Sequence, residues 1–119
     1  MSYDVELVDP ITKSRITFDF KHKIRGGTYQ MGGCSEAWLN VTYNYSPHFY
    51  RVLDSEKGLR ALYGKTGAES ISAIEQAIAQ LGDDVDADYW KPTEGNAKRA
   101  LFGLLAFARL RPDGVWDGD

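Results

Sequence analysis

The sequence predicts an α+β domain, an N-terminal antiparallel sheet of about four strands packed against C-terminal helices. Three observations carry that prediction. Apolar and polar residues alternate early, with Tyr3, Val5 and Leu7 set against Asp4 and Glu6. After residue 46 the apolar spacing changes to three and four, as in Ile71, Ile74, Ile78 and Leu81. The 119 residues are 43% apolar and 26% charged, which suits one domain, 1–119, with its own core.

The elements follow in order. Tyr3 to Leu7 is the first expected strand. Beyond "DPITK", Ile16, Phe18 and Phe20 alternate with Arg15, Thr17 and Asp19, so the two runs predict a β-hairpin around a Pro-containing turn. Glycine pairs bracket Thr28 to Met31, a short third strand. "AWLNVTYNYS", residues 37–46, is the fourth. Ser46 and Pro47 then mark a helix start, with serine as the cap and proline in the first turn. That helix is expected to reach about Leu53, and a second short one to end near Gly64. Thr66 and Glu69 have the spacing of a capping box, and the stripe from Ile71 to Leu81 follows, stopped by Gly82. A final helix opens at Thr93 and ends before Pro112, with Ala97, Leu101, Leu104, Leu105 and Ala108 facing inward.

Composition narrows the function classes. The net charge of −3 argues against a nucleic-acid partner. The charge is uneven, however. Asp83, Asp84, Asp86 and Asp88 form one acidic cluster, and Asp113, Asp117 and Asp119 another, while Lys13, Arg15, Lys21, Lys23 and Arg25 gather near the start. The single cysteine, Cys34, has no internal disulfide partner. No apolar run resembles a signal peptide or reaches membrane-spanning length, so a cytoplasmic location without a membrane partner is expected.

Catalytic and metal motifs are incomplete. "YGKTG" lacks the earlier glycine of a phosphate-binding loop: the required position is Leu59, and Gly58 is one place off. "DDVDAD" lacks the glycine and glutamate of a calcium loop, whose places are taken by Tyr89 and Gly95. Cys34, His22 and His48 show neither zinc-ligand spacing nor a nucleophile–base arrangement. The expectation is no enzymatic activity, no cofactor and no metal.

Three features stand out. In residues 37–46, alternation puts Leu39, Val41, Tyr43 and Tyr45 on a core face and Trp38, Asn40, Thr42 and Asn44 on the other. That second face is either a wet side of the sheet, or one whose Asn40 and Asn44 bond to neighbouring loops, or a ligand platform of one ring and several amides. The last helix is apolar on more than one side. Phe102 lies about 100° and Leu110 about 180° from Leu101, with Gly103 and Ala106 on the same outer side. Either the tail covers this surface, with Trp116 packing down, or another chain does. In "DYWKPTEGN", Gly95 inside the first helical turn, beside Trp90 and Asn96, either shapes the turn or admits a ligand or another backbone. The expected ligand-binding residues are therefore Trp38, Asn40, Asn44, Trp90 and Asn96. The expected partner-binding residues are Phe102, Gly103, Ala106 and Leu110.

The segments "GGTYQMGGCSEAWLNVTYNYS", "YGKTGAESI" and "DYWKPTEGNAKRALFGLLAFARLRPDGVWDGD" resemble a group of small phage- and prophage-type bacterial proteins with no assigned activity. The resemblance spans most of the chain from about residue 25 and implies a mobile-element context. Small phage proteins often act by binding, including as inhibitors of host defence. The expectation is a non-enzymatic binding protein, with counter-defence inhibition of a host protein as its specific form. Its partner would be that host protein or, through the last helix, a second copy. The alternative is a small-ligand or nucleotide-binding homo-oligomer.

Overall fold

A computed structural model describes residues 1–22 and 34–119. In chain order its elements are β1 (Ser2–Val8), β2 (Thr17–His22), β3 (Cys34–Glu36), β4 (Trp38–Thr42), α1 (Ser46–Val52), α2 (Gly67–Ala79), α3 (Glu94–Leu110) and β5 (Val115–Gly118). Short 3-10 segments occupy Tyr43–Tyr45 and Gly58–Leu62. The architecture is α+β, as predicted. The strand expected at Thr28 to Met31, and the bases Lys23 and Arg25, lie outside the described residues.

Strand β1 is central. Its alternation buries Tyr3, Val5 and Leu7. One edge pairs antiparallel with β4, setting Tyr3 opposite Val41 and Val5 opposite Leu39. The other edge pairs antiparallel with β5, setting Leu7 opposite Trp116. The sheet order is thus β4-β1-β5.

This arrangement corrects the expected hairpin. The turn itself forms. The Asp9 carboxylate accepts hydrogen bonds from the Ile11 and Thr12 amides, and the Ile16 amide donates to the Leu7 carbonyl at 2.9 Å. Beyond Ile16 the second run leaves β1, because β4 and β5 fill both edges of that strand. It pairs with β3 instead, Thr17 opposite Glu36 and His22 opposite Cys34. Phe18 leans onto α3, its ring stacked 5.8 Å from that of Phe107.

The fourth strand is shorter than its alternation suggested. It ends at Thr42, whose hydroxyl accepts the Asn44 amide at 3.2 Å and turns the chain into the 3-10 segment. On that face of β4 Asn40 and Thr42 are buried and Trp38 is half-buried, so the wet-side reading fails at its two polar positions. The cap expected of Ser46 is also corrected. Tyr45 occupies the cap position of α1, and the Ser46 hydroxyl bonds the Tyr3 hydroxyl at 2.7 Å. Pro47 does sit in the first turn.

The capping box forms as expected. The Thr66 hydroxyl accepts the Glu69 amide at 3.1 Å, and the Glu69 carboxylate accepts the Thr66 amide at 2.9 Å. Helix α2 ends at Ala79, before Gly82, yet Leu81 stays buried with Ile74 and Ile78. Thr93 caps α3 through the Asn96 amide at 3.1 Å. The five expected inward residues of α3 are all buried. The two helices run antiparallel, since the start of α2 at Gly67 meets Ala108 and Arg111 while Lys98 reaches the Leu81 carbonyl. Gly103 was expected outside but is buried. It lies about 40° round the helix from Phe107, on the side where Phe18 and His22 pack.

The tail forms a strand that alternation did not reveal. Trp116 is 1% exposed, and its indole N–H donates to the Ser70 hydroxyl at 2.7 Å. That hydroxyl in turn donates to the Gly67 carbonyl at 2.8 Å. The outer edge of β5 is covered as well: the Trp116 amide donates to the Lys65 carbonyl and its carbonyl accepts the Gly64 amide, both at 2.9 Å. Among the described residues, no helix is long and apolar enough to cross a membrane.

In urea titrations, Trp116→Ala should lower unfolding stability by about 3–5 kcal/mol, the usual loss for a buried tryptophan. Ser70→Ala should cost about 1–3 kcal/mol, because it strands a buried indole N–H. Near-wild-type stability in both variants would show that β5 is not integral to the fold.

Candidate functional site

The segment joining α2 to α3 is gripped from several elements. Asn96, buried in the first turn of α3, accepts the Asp86 amide at 3.0 Å. Its side-chain N–H₂ donates to the carbonyls of Asp88 and Lys91, at 3.2 and 3.1 Å. The Asn44 amide donates to the Trp90 carbonyl at 2.7 Å. The Tyr45 hydroxyl donates to the Tyr89 carbonyl. His48 Nε2 meets the Pro92 carbonyl at 2.7 Å, and since a carbonyl only accepts, that nitrogen carries the proton.

The aspartates complete this loop from within. Asp86 accepts the Asp88 amide at 2.8 Å, and Asp88 accepts the Trp90 amide at 3.1 Å. Asp84 accepts the Gly95 amide at 3.2 Å, at the positive end of α3. Gly95 is required for packing: a Cβ there would lie 2.7 Å from the backbone carbon of Asp84 and the nitrogen of Val85. Of the possibilities left by the sequence, the structure selects the approach of another backbone. Among the described residues, no group of three or more His, Cys, Asp and Glu side chains is placed to hold a metal ion.

The result is a loop pinned through its backbone, with aromatic rings at the surface. Trp90 is 45% exposed, and its ring stacks 6.3 Å from that of Tyr89. Burial pushes the Tyr45 hydroxyl up to about 12, so it remains a donor throughout the neutral range.

Three of the expected ligand-binding residues, Asn44, Trp90 and Asn96, therefore converge on this loop. Asn44 and Asn96 position its backbone. Trp38 and Asn40 have other surroundings. The Arg15 guanidinium lies 5.7 Å from the Trp38 ring centroid. Asn40 is 8% exposed and donates to the Ser2 hydroxyl at 2.8 Å and the Asp4 carboxylate at 2.7 Å. Its carbonyl oxygen is buried without a hydrogen-bond partner among the described residues. Tyr45 and His48 were missed as loop-holding residues. Nothing local marks them, since their partners are backbone atoms more than forty positions away.

A second surface lies on the outer side of α2 and α3. Phe102 and Leu110 are each 50% exposed. The tail does not cover them, because it runs beside β1 instead. A shallow groove of about 200 Å³ separates the helices, lined by Glu75, Ile78, Ala79, Phe102, Leu105 and Arg109. Arg109 and Glu75 pair across it at 3.7 Å. Ala106 is half-buried on this side, whereas Gly103 faces inward.

Cys34 and His22 are cross-strand neighbours on β3 and β2. Each also bonds the Glu36 backbone: His22 Nε2 meets its carbonyl at 2.6 Å, and Cys34 Sγ accepts its amide at 3.3 Å.

No protein-family model, curated protein or solved structure matches this chain.

Asn96→Ala should cost about 1–3 kcal/mol and accelerate hydrogen exchange at the Asp86, Asp88 and Trp90 amides, because three loop contacts disappear together. Unchanged exchange there would show that the loop is held by other means. Alkaline pH provides a separate check on Tyr45. An unfolded tyrosine ionises near 10.0 and the folded one near 12, so the folded state binds the extra proton between those values. Stability from this hydroxyl is complete below 10.0 and is lost as pH rises toward 12. Denaturation series should show a smaller decline across that window for Tyr45→Phe than for wild type.

Proposed function

We propose that this chain is a non-enzymatic binding protein that recognises another protein through its Trp90 loop. Following the phage and prophage resemblance, its partner is a host protein, which it inhibits as a counter-defence factor. One observation carries the binding reading: a loop bearing an exposed tryptophan is held through its backbone by Asn44, Tyr45, His48 and Asn96. Four side chains fix the loop before any partner arrives, so little ordering entropy remains to be lost on association. Tryptophan and tyrosine are the side chains that most often anchor protein interfaces. Asp84, Asp86 and Asp88 beside the rings favour a basic patch on the partner.

The alternative, a small-ligand or nucleotide-binding homo-oligomer built on Trp38, Asn40 and Asn44 with Trp90 and the start of the last helix nearby, has weaker support. Both hydrogens of the Asn40 amide are committed within the chain, and Arg15 lies against Trp38.

The test is affinity capture from host lysate with wild type and Trp90→Ala as parallel baits. A host protein held by wild type should bind the variant roughly thirtyfold more weakly, the loss typical of an interface anchor. Circular dichroism would confirm that the variant is folded. Equal retention by both baits would overturn the assignment of the loop.

A further inference from the structure

We infer that the outer face of α2 and α3 pairs with the same face of a second copy, about a two-fold axis parallel to the helices, forming a four-helix bundle. The centre of that face is apolar. Phe102 and Leu110 are half exposed, and Phe102 borders the groove together with Ile78, Ala79 and Leu105. An antiparallel helix pair with such a seam is half of a bundle.

The charges identify the occupant. At one end of the groove Glu75 on α2 stands beside Arg109 on α3 at 3.7 Å. Beyond the groove's far end, outside its lining, Asp83 just past α2 pairs with Lys98 on α3 at 2.7 Å. Arg99 is exposed nearby. Acid therefore lies on the α2 side, at Glu75 in the groove and at Asp83 beyond it, and base lies on the α3 side. Two symmetric arrangements bring identical faces together. A two-fold across the helices sets α3 against α3, which places Arg109 near Lys98 and Arg99 of the second copy, like charge against like. A two-fold along the helices sets α2 over α3. Glu75 then faces Arg109 of the second copy, and Phe102 faces the small side chain Ala79. The second arrangement is complementary in both charge and volume. It also leaves both Asp83–Pro92 loops at one end of the bundle.

Light scattering coupled to size exclusion tests this with the full chain. Wild type should elute with the mass of two chains, and Phe102→Asp with the mass of one and an unchanged circular dichroism spectrum. Glu75→Arg and Arg109→Glu should each be monomeric alone, since each places like charges across the two-fold. Mixed together they should form a heterodimer. In one of its two contacts the substituted side chains face each other with opposite charge, and in the other the native Arg109 of the first variant faces the native Glu75 of the second. The pair within each chain stays broken in both variants, so recovery on mixing reports contacts between copies. A monomeric wild type, a dimeric Phe102→Asp, or no heterodimer on mixing would each overturn the inference. Partner capture by a monomeric Phe102→Asp bait separates this result from the Trp90 reading, because no residue of that loop lines the groove.

Discussion

The fold depends on the two-sided pairing of β1. A strand with neighbours on both edges commits its amides and carbonyls to the sheet, and β1 obtains those neighbours from opposite parts of the sequence: β4 follows an excursion through β2 and β3, and β5 follows all three helices. The second pairing is secured by Trp116, which is buried against Ser70 of α2 through its indole N–H. One side chain thereby ties sheet and helices together. Because β5 occupies that edge, it cannot also lie across α3, and the outer surface of α3 stays open.

A related constraint operates in the loop between α2 and α3. A connection of this kind has many backbone polar groups and few of its own apolar contacts. It is ordered here because side chains from the 3-10 segment, α1 and α3 supply hydrogen bonds to its carbonyls. Asparagine suits this work, since one amide serves both an acceptor and a donor requirement, as Asn96 does. The aspartates act in the same way on nearby amides. Their concentration in the sequence reflects the turns they stabilise as much as the charge they carry.

The two exposed surfaces differ in character. The loop is pinned and aromatic, with several aspartates alongside and Lys91 paired to Asp86 at 3.4 Å. The helical face is broader, with aliphatic and aromatic side chains between rows of opposite charge. The first is the surface proposed to recognise a different molecule of basic character. The second is the face proposed to meet its own copy, which requires self-complementarity.

Much of this architecture was legible in the residues. Alternation located β1 and β4, and the Thr66–Glu69 and Thr93 caps located the starts of α2 and α3. The inward stripes of both helices were readable because burial repeats every three or four residues. These signals are local, and helix and strand periods express them within a few turns of chain. The expected binding residues were partly gathered by the fold, with Asn44, Trp90 and Asn96 meeting at one loop. The amino-acid sequence alone therefore determined the α+β class, the starts of the two long helices and their inward-facing side chains. Tertiary structure decided which strands pair, that Val115 to Gly118 joins the sheet, and what the asparagines hold. Those outcomes depend on which backbone edges and carbonyls remain open once distant segments have packed, and no local pattern encodes that competition.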